Sequence, residues 1–174
     1  MHKRFNIFSL LILSSVYGTV LNVPDDYGTI QAALDAASSG DTIFVEAGTY
    51  YENQIEWPTV EGIKLIGEDM ETTIIDGSNN SNIFIILPVT GQISSNIINP
   101  STLISGFTIQ NGSANGTFYS WVHGSLNMGG GMYVQYAYIS LNDLTFKNNH
   151  SNSEGGALYY QGTNRSEDLV INMN

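Results

Sequence analysis

The sequence predicts an all-β fold of the solenoid kind, in which short strands stack in parallel from one turn of the chain to the next. Three observations predict it. The chain is poor in charge (12%) and rich in glycine (18 residues), and its apolar runs are short and β-branched. That composition favours strands joined by many tight turns. Two local patterns recur: Ile104 to Gly112 reads ISGFTIQNG and Leu141 to Asn149 reads LNDLTFKNN, strand-then-Asn units 37 residues apart from Thr108 to Thr145. Gly129 to Gln135 (GGGMYVQ) and Gly155 to Gln161 (GGALYYQ) repeat 26 residues apart from Gly130 to Gly156. A motif that returns with loose spacing indicates a repeat architecture with insertions on one side. Finally, no Asn-Gly joins two alternating runs as a hairpin requires; Asn111-Gly112 and Asn115-Gly116 sit in a long polar stretch.

The 174 residues make one domain of ordinary size, and the absence of cysteine excludes disulfides and thiolate metal sites. Five basic residues against sixteen acidic ones argue against nucleic acid, whose phosphates need cationic partners. The acidity has a simple reading, which is solubility of an exported protein.

The N-terminus reads as a leader. His2-Lys3-Arg4 is basic, Phe5 to Val16 is apolar and too short to span a membrane, and Val16 and Gly18 are small enough for a signal peptidase site. Residues 1–18 are therefore expected to be removed, leaving 19–174 as a single domain. Loss of Lys3 and Arg4 takes the formal net charge from −11 to −13, since no acidic residue precedes Asp25. The sequons at Asn79, Asn111, Asn115, Asn149 and Asn164 are read as products of Asn-rich turns.

Past the turn at Pro24 to Gly28, Thr29 is an N-cap for a helix over Ile30 to Ser38. Ile30, Ala33, Leu34 and Ala37 fall on one face of it, and Gly40 is its stop. The stripe is short, so the helix is expected to cover the end of something larger. Strands are expected at Thr42 to Val45, Ile63 to Gly67, Thr73 to Asp76 and Ile83 to Leu87, each ending in Gly, Asn, Asp or Pro or leading to one. Inward residues would be Ile63, Leu65, Ile74, Ile83, Ile85, Phe107, Ile109, Leu144 and Phe146. Asn at the corners tolerates left-handed backbone and can bond along the stack.

Asn111 to Met128 interrupts the rhythm and carries Phe118, Tyr119, Trp121 and His123. Tyr119 and Trp121 are the candidate ligand-binding residues, because aromatic faces pack on sugar rings; the plainer reading folds them back onto a strand. Glu68, Asp69, Glu71 and Asp76 form the densest acidic group and are read first as a solvated turn. His123 and His150 are lone histidines outside any metal-ligand spacing. No cofactor is implied; calcium would suit the acidity, and no motif supports it. Leu169 to Asn172 starts a further strand with no cap after it, so a fragment, or association through that open end, is expected.

Val23 to Gly77, with its helix and its GTYYEN and TTIIDG segments, resembles the N-terminal cap and first coils of right-handed parallel β-helix proteins of the pectin lyase-like superfamily. FKNN followed by GGALYY is similar to the FxxN and GGA repeats of polymorphic outer membrane proteins. The resemblance implies an all-β right-handed parallel β-helix with a short N-terminal capping helix. That superfamily includes enzymes and adhesins, so function must come from the residues. The chain lacks the QAVAL and GFQDTL segments of pectin methylesterases, and Asp143 stands outside their context. Pectate lyases need calcium-binding acids beside a catalytic arginine, and Arg165, the one arginine after Arg4, has no acidic cluster near it in sequence. No catalytic residue is therefore assigned. The expectation is an exported, non-catalytic protein, secreted or at a bacterial surface or outer membrane, acting in adhesion or glycan binding toward an extracellular glycan or a host cell surface. The alternative is a carbohydrate-active enzyme, of pectin esterase or polysaccharide lyase type, whose catalytic coils are unrecognised or lie beyond Asn174.

Overall fold

A computed structural model describes residues 18–87, 98, 101–116, 119–120, 124–125, 127–162 and 169–172. In chain order the elements are β1 (Val20–Val23), α1 (Ile30–Ala36), β2 (Thr42–Val45), β3 (Gly48–Tyr50), β4 (Ile55–Glu56), β5 (Lys64–Gly67), β6 (Thr73–Asp76), β7 (Phe84–Ile86), β8 (Leu103–Gln110) and β9 (Ser113–Ala114). They continue with β10 (Tyr119–Ser120), β11 (Gly124–Ser125), β12 (Met132–Gln135), β13 (Ile139–Lys147), β14 (His150–Ser151), β15 (Leu158–Gln161) and β16 (Leu169–Asn172). The leader expected at the N-terminus lies, up to residue 17, outside the described residues.

The main sheet runs β1-β2-β5-β8-β13-β16, with β6 also paired to β8 and β3 to β6. A second sheet runs β15-β12-β7-β4, and β14 pairs β9. These pairings are parallel, whereas β10 and β11 are antiparallel. The main sheet branches at a kink. Gly106 has φ +82°, a conformation open to glycine without steric cost, and Asp143 beside it on β13 has φ +48°. The ladder between β8 and β13 skips this pair. As a result Leu103 to Ser105 pair with β5, while Thr108 to Gln110 pair with β6.

This architecture corrects the expected class. Among the described residues, the all-β right-handed parallel β-helix is replaced by mostly parallel sheets with one short helix built into them. The helix is part of the core, since Ile30, Ala33 and Leu34 are fully buried in the same cluster as the strands. The pairing is also not a uniform stack: the main sheet forks at β8, and an antiparallel pair is present. The physical reason is local. A turn closed by the Thr72 and Thr73 N–H groups on the Asp69 carbonyl (3.1 and 2.8 Å) separates β5 from β6, and the two short strands lie against the two halves of β8.

The two larger sheets share one core. Ile43, Val45, Leu65, Ile75, Ile104, Phe107 and Ile109 from the main sheet meet Phe84, Ile86, Met132 and Val134 from the second. Each large apolar side chain buried there contributes roughly 1.5–3 kcal/mol. Of the inward residues expected, Ile63, Leu65, Ile83, Phe107 and Ile109 lie in this core, and Leu144 and Phe146 pack against it partly buried. Ile74 is instead half-buried, since strand alternation turns its neighbour Ile75 inward. Ile85 is buried too, but in a separate cluster.

Thr29 caps α1 as expected, its Oγ1 accepting the Ala32 N–H at 3.1 Å. Glu52 completes that end by accepting from Ile30 N (2.8 Å) and Gln31 N (3.1 Å). The helix stops at Ala36, earlier than expected, and Gly40 (φ +81°) turns the chain toward β2 instead. Asn79, Asn111 and Asn148 do take positive φ at corners. Two corner Asn side chains bond to other groups. Asn111 donates to Asp76 (2.9 Å), and Asn149 links layers through Gly112 N (2.8 Å) and Ile109 O (2.8 Å). Among the described residues no helix is long and apolar enough to cross a membrane, which says nothing of a β-barrel.

Candidate functional site

The second sheet presents a patterned outer face. In register, Ile85 of β7 pairs with Tyr133 of β12, and Tyr133 with Tyr159 of β15. Residues one position away, Phe84, Met132 and Val134, enter the main core. Alternation therefore places Ile85, Tyr133 and Tyr159 on the opposite face, where they gather with Leu87 and Met128. The tight corners that align these strands come from Gly129 (φ +67°) and Gly155 (φ +62°), which occupy equivalent places before β12 and β15.

Tyr133 and Tyr159 stack with ring centroids 5.2 Å apart and planes 15° from parallel. Tyr133 is 2% exposed, whereas Tyr159 is only partly covered. Burial pushes the Tyr133 phenol up to about 12, with smaller contributions from Tyr159 and Tyr136. It therefore stays neutral at any physiological pH.

Two positions along, an amide ladder runs parallel to the ring stack. Gln135 Nε2 donates to Gln161 Oε1 at 2.6 Å, and Gln161 Nε2 donates to the Tyr136 hydroxyl at 3.2 Å. Gln135 is 7% exposed, and its Oε1 has no hydrogen-bond partner among the described residues. A buried carbonyl left unpaired costs about 1–3 kcal/mol, and Trp57 Nε1, Asn82 Oδ1 and Thr102 Oγ1 are buried without a partner in the same way. Rings to supply stacking area and amides to supply directed hydrogen bonds are the parts a site for a neutral, hydroxyl-rich molecule requires.

The residues singled out from the sequence lie in other segments of the chain or outside the described residues. Tyr119 lies in β10, paired through its backbone with Ser125. Trp121 lies outside the described residues, as do Phe118, His123 and Arg165. The acidic group does not converge. Glu68 accepts from Ala47 N (2.8 Å), Asp69 from Glu71 N (2.8 Å), and Asp76 from Ser78 N, Gln110 and Asn111 (2.8, 2.8 and 2.9 Å). Burial alone would push the Asp76 carboxyl up, but those three donors together hold it below the usual carboxylate range. It is thus a fixed anion that ties β6 to β8. Asp143 stands exposed at the kink of β13, and His150 is exposed on β14. Among the described residues no group of three or more His, Asp or Glu is gathered to hold a metal ion.

Sequence reasoning missed Tyr133, Gln135, Tyr159 and Gln161, although their signal was present. GGGMYVQ and GGALYYQ carry Tyr and Gln at matching offsets. Read as strand starts, the repeats give the pairing; only the register shows that the Tyr and Gln positions point away from the core. Compared with known protein families, curated proteins and solved structures, the chain matches none of them.

Proposed function

We propose that this chain is an exported, non-catalytic protein, secreted or displayed at a bacterial surface or outer membrane, that binds extracellular glycans through the outer face of β7, β12 and β15. The observation that carries the reading is the Tyr133–Tyr159 stack running beside the Gln135–Gln161 ladder. A sugar ring continues the stack on the partly covered Tyr159, laying its apolar face on the phenol ring. Its hydroxyls meet the partly buried Gln161 amide at the edge of the ladder. The basic-then-apolar N-terminus and the FKNN and GGALYY segments, similar to repeats of bacterial surface proteins, support the export and adhesion part of the reading.

The test is a glycan array followed by titration of the best ligand. Saturable binding that drops at least tenfold in Tyr159→Ala, with the fold intact by circular dichroism, is the expected result. Absence of saturable binding, or unchanged affinity in Tyr159→Ala, overturns the reading. Incubation with polyuronides and methylated pectin addresses the catalytic alternative. Cleavage or methanol release that disappears in Asp143→Asn or Arg165→Lys would show that the chain is an enzyme.

A further inference from the structure

Asp41 is a buried carboxylate, 6% exposed, between α1 and β2. Its Oδ1 accepts the Thr19 backbone N–H at 2.7 Å and the Thr19 hydroxyl at 3.1 Å. Its Oδ2 accepts the Ser38 N–H at 2.8 Å. These partners are all uncharged, and a carboxylate taken out of water is costly without an opposite charge. Thr19 itself is held firmly, since its carbonyl accepts the Thr42 N–H at 2.8 Å and so extends the β1–β2 ladder by one residue. The nitrogen at 2.7 Å from Oδ1 belongs to the residue that follows the expected signal peptidase site.

We propose that removal of the leader after Gly18 makes Asp41 the counter-ion of a new Thr19 α-ammonium, so that processing completes this corner of the fold. Hydrolysis of the Gly18–Thr19 amide by a signal peptidase consumes one water. The carboxylate leaves on Gly18 with the leader, and the amine stays on Thr19, where it takes up a proton. The bond from an uncharged N–H to the carboxylate becomes an ammonium–carboxylate ion pair at the same place. The uncut chain also fits, but only with glycine before Thr19, because a Cβ at position 18 would overlap the Gly40 carbonyl. Burial pushes the Asp41 carboxyl up, yet the Ser38 and Thr19 donors hold it below the usual range, so it is ionised when the amine arrives. The charged residues on the surrounding segments are Asp35 on α1, Glu61, whose carbonyl takes the Gly40 N–H, and Lys64 on β5, whose N–H donates to the Asp41 carbonyl. All three are exposed.

The full chain would be exported from a bacterial host and the processed product sequenced from its N-terminus. Thr19 is the expected first residue, and any other first residue overturns the proposal. The α-amino group would then be titrated by NMR. An unpaired amine titrates near about 7.7–8.0, and here its proton affinity should rise roughly tenfold. With the folded value raised, the stability it supplies is fully present below the ordinary range and is lost as pH climbs through the raised value. Nα-acetylation of the processed protein should lower the unfolding midpoint and abolish that pH dependence. Asp41→Asn should return the amine to its ordinary range; if that variant does not fold, the acetylation comparison on the unaltered protein decides. An α-amino group that titrates ordinarily in the folded protein, with acetylation leaving the midpoint unchanged, overturns the proposal.

Discussion

Met132 and Val134 on one face of β12 pack into the main apolar core, while Tyr133 and Gln135 on the other face meet rings and amides. All four are buried to a similar extent. Burial alone therefore does not distinguish the two faces of β12. The difference lies in what the buried atoms need. The inner side chains present only apolar surface and need nothing beyond close contact. The outer ones carry polar tips, and one of these, the Gln135 carbonyl, has no described partner. A chain that filled both faces with aliphatic residues would avoid that cost; under the proposed glycan binding, a ligand hydroxyl on the neighbouring Gln161 amide would offset it.

The comparison predicts that inner-face truncations destroy stability and outer-face truncations destroy binding. The largest effect should come from Phe84→Ala, which removes a fully buried ring from the inner face. Urea denaturation should show a loss of about 3–5 kcal/mol. A loss below about 1 kcal/mol would mean that the inner face is not the packed side.

Asp76→Ala should come next, at roughly 1–3 kcal/mol, because it strands the Gln110 and Asn111 donors that now share one carboxylate oxygen. This group also sets a pH dependence. Its folded value is depressed, so the stability it contributes is present above the unfolded value of about 3.9 and disappears as pH falls through the folded value. Acid unfolding followed by fluorescence should be shallower below about pH 4 in Asp76→Asn than in the parent chain.

A smaller stability effect is expected for Tyr159→Ala, of about 0.5–1.5 kcal/mol for the lost ring pairing beyond its area. This variant also sharpens the comparison spectroscopically. Tyr133 ionises at about 12, so its contribution to stability is intact below the unfolded value of about 10 and is lost as pH rises toward 12. Ultraviolet titration should show its absorbance step move down when Tyr159 is removed. An unmoved step would mean that the two rings do not bury one another. The smallest effect should be Gln135→Met, where removal of the orphan carbonyl offsets in part the loss of the bond to Gln161 Oε1, with weaker glycan affinity. Unchanged affinity there would remove Gln135 from the site.

The N-cap at Thr29, the helix face at Ile30, Ala33 and Leu34, and strands β2, β5, β6 and β7 were legible in the sequence to within a residue or two, except that the helix stops at Ala36 rather than Ser38. These are local properties: a hydroxyl three residues before an N–H, or an apolar alternation bounded by turn residues. The fold class was not legible to the same degree, because it depends on which strands meet across long intervals. The fork of the main sheet rests on the left-handed backbone at Gly106 and Asp143, and nothing local in GFTIQ or NDLTF announces that β5 and β6 will share β8.

The candidate site divides in the same way. The sequence by itself determined the repeat that gives Tyr133 and Tyr159, and Gln135 and Gln161, matching offsets, along with the small residue before Thr19 and the acidic, cysteine-free composition. Only the tertiary structure decided that the repeated Tyr and Gln face away from the core, that Ile75 rather than Ile74 turns inward, and that Asp41 reaches back to Thr19 across 22 residues of chain. The physical reason is that a strand carries two faces of equal standing. Which of them becomes the interior is set by the neighbouring strands it pairs with, and that choice is made only when the sheets come together.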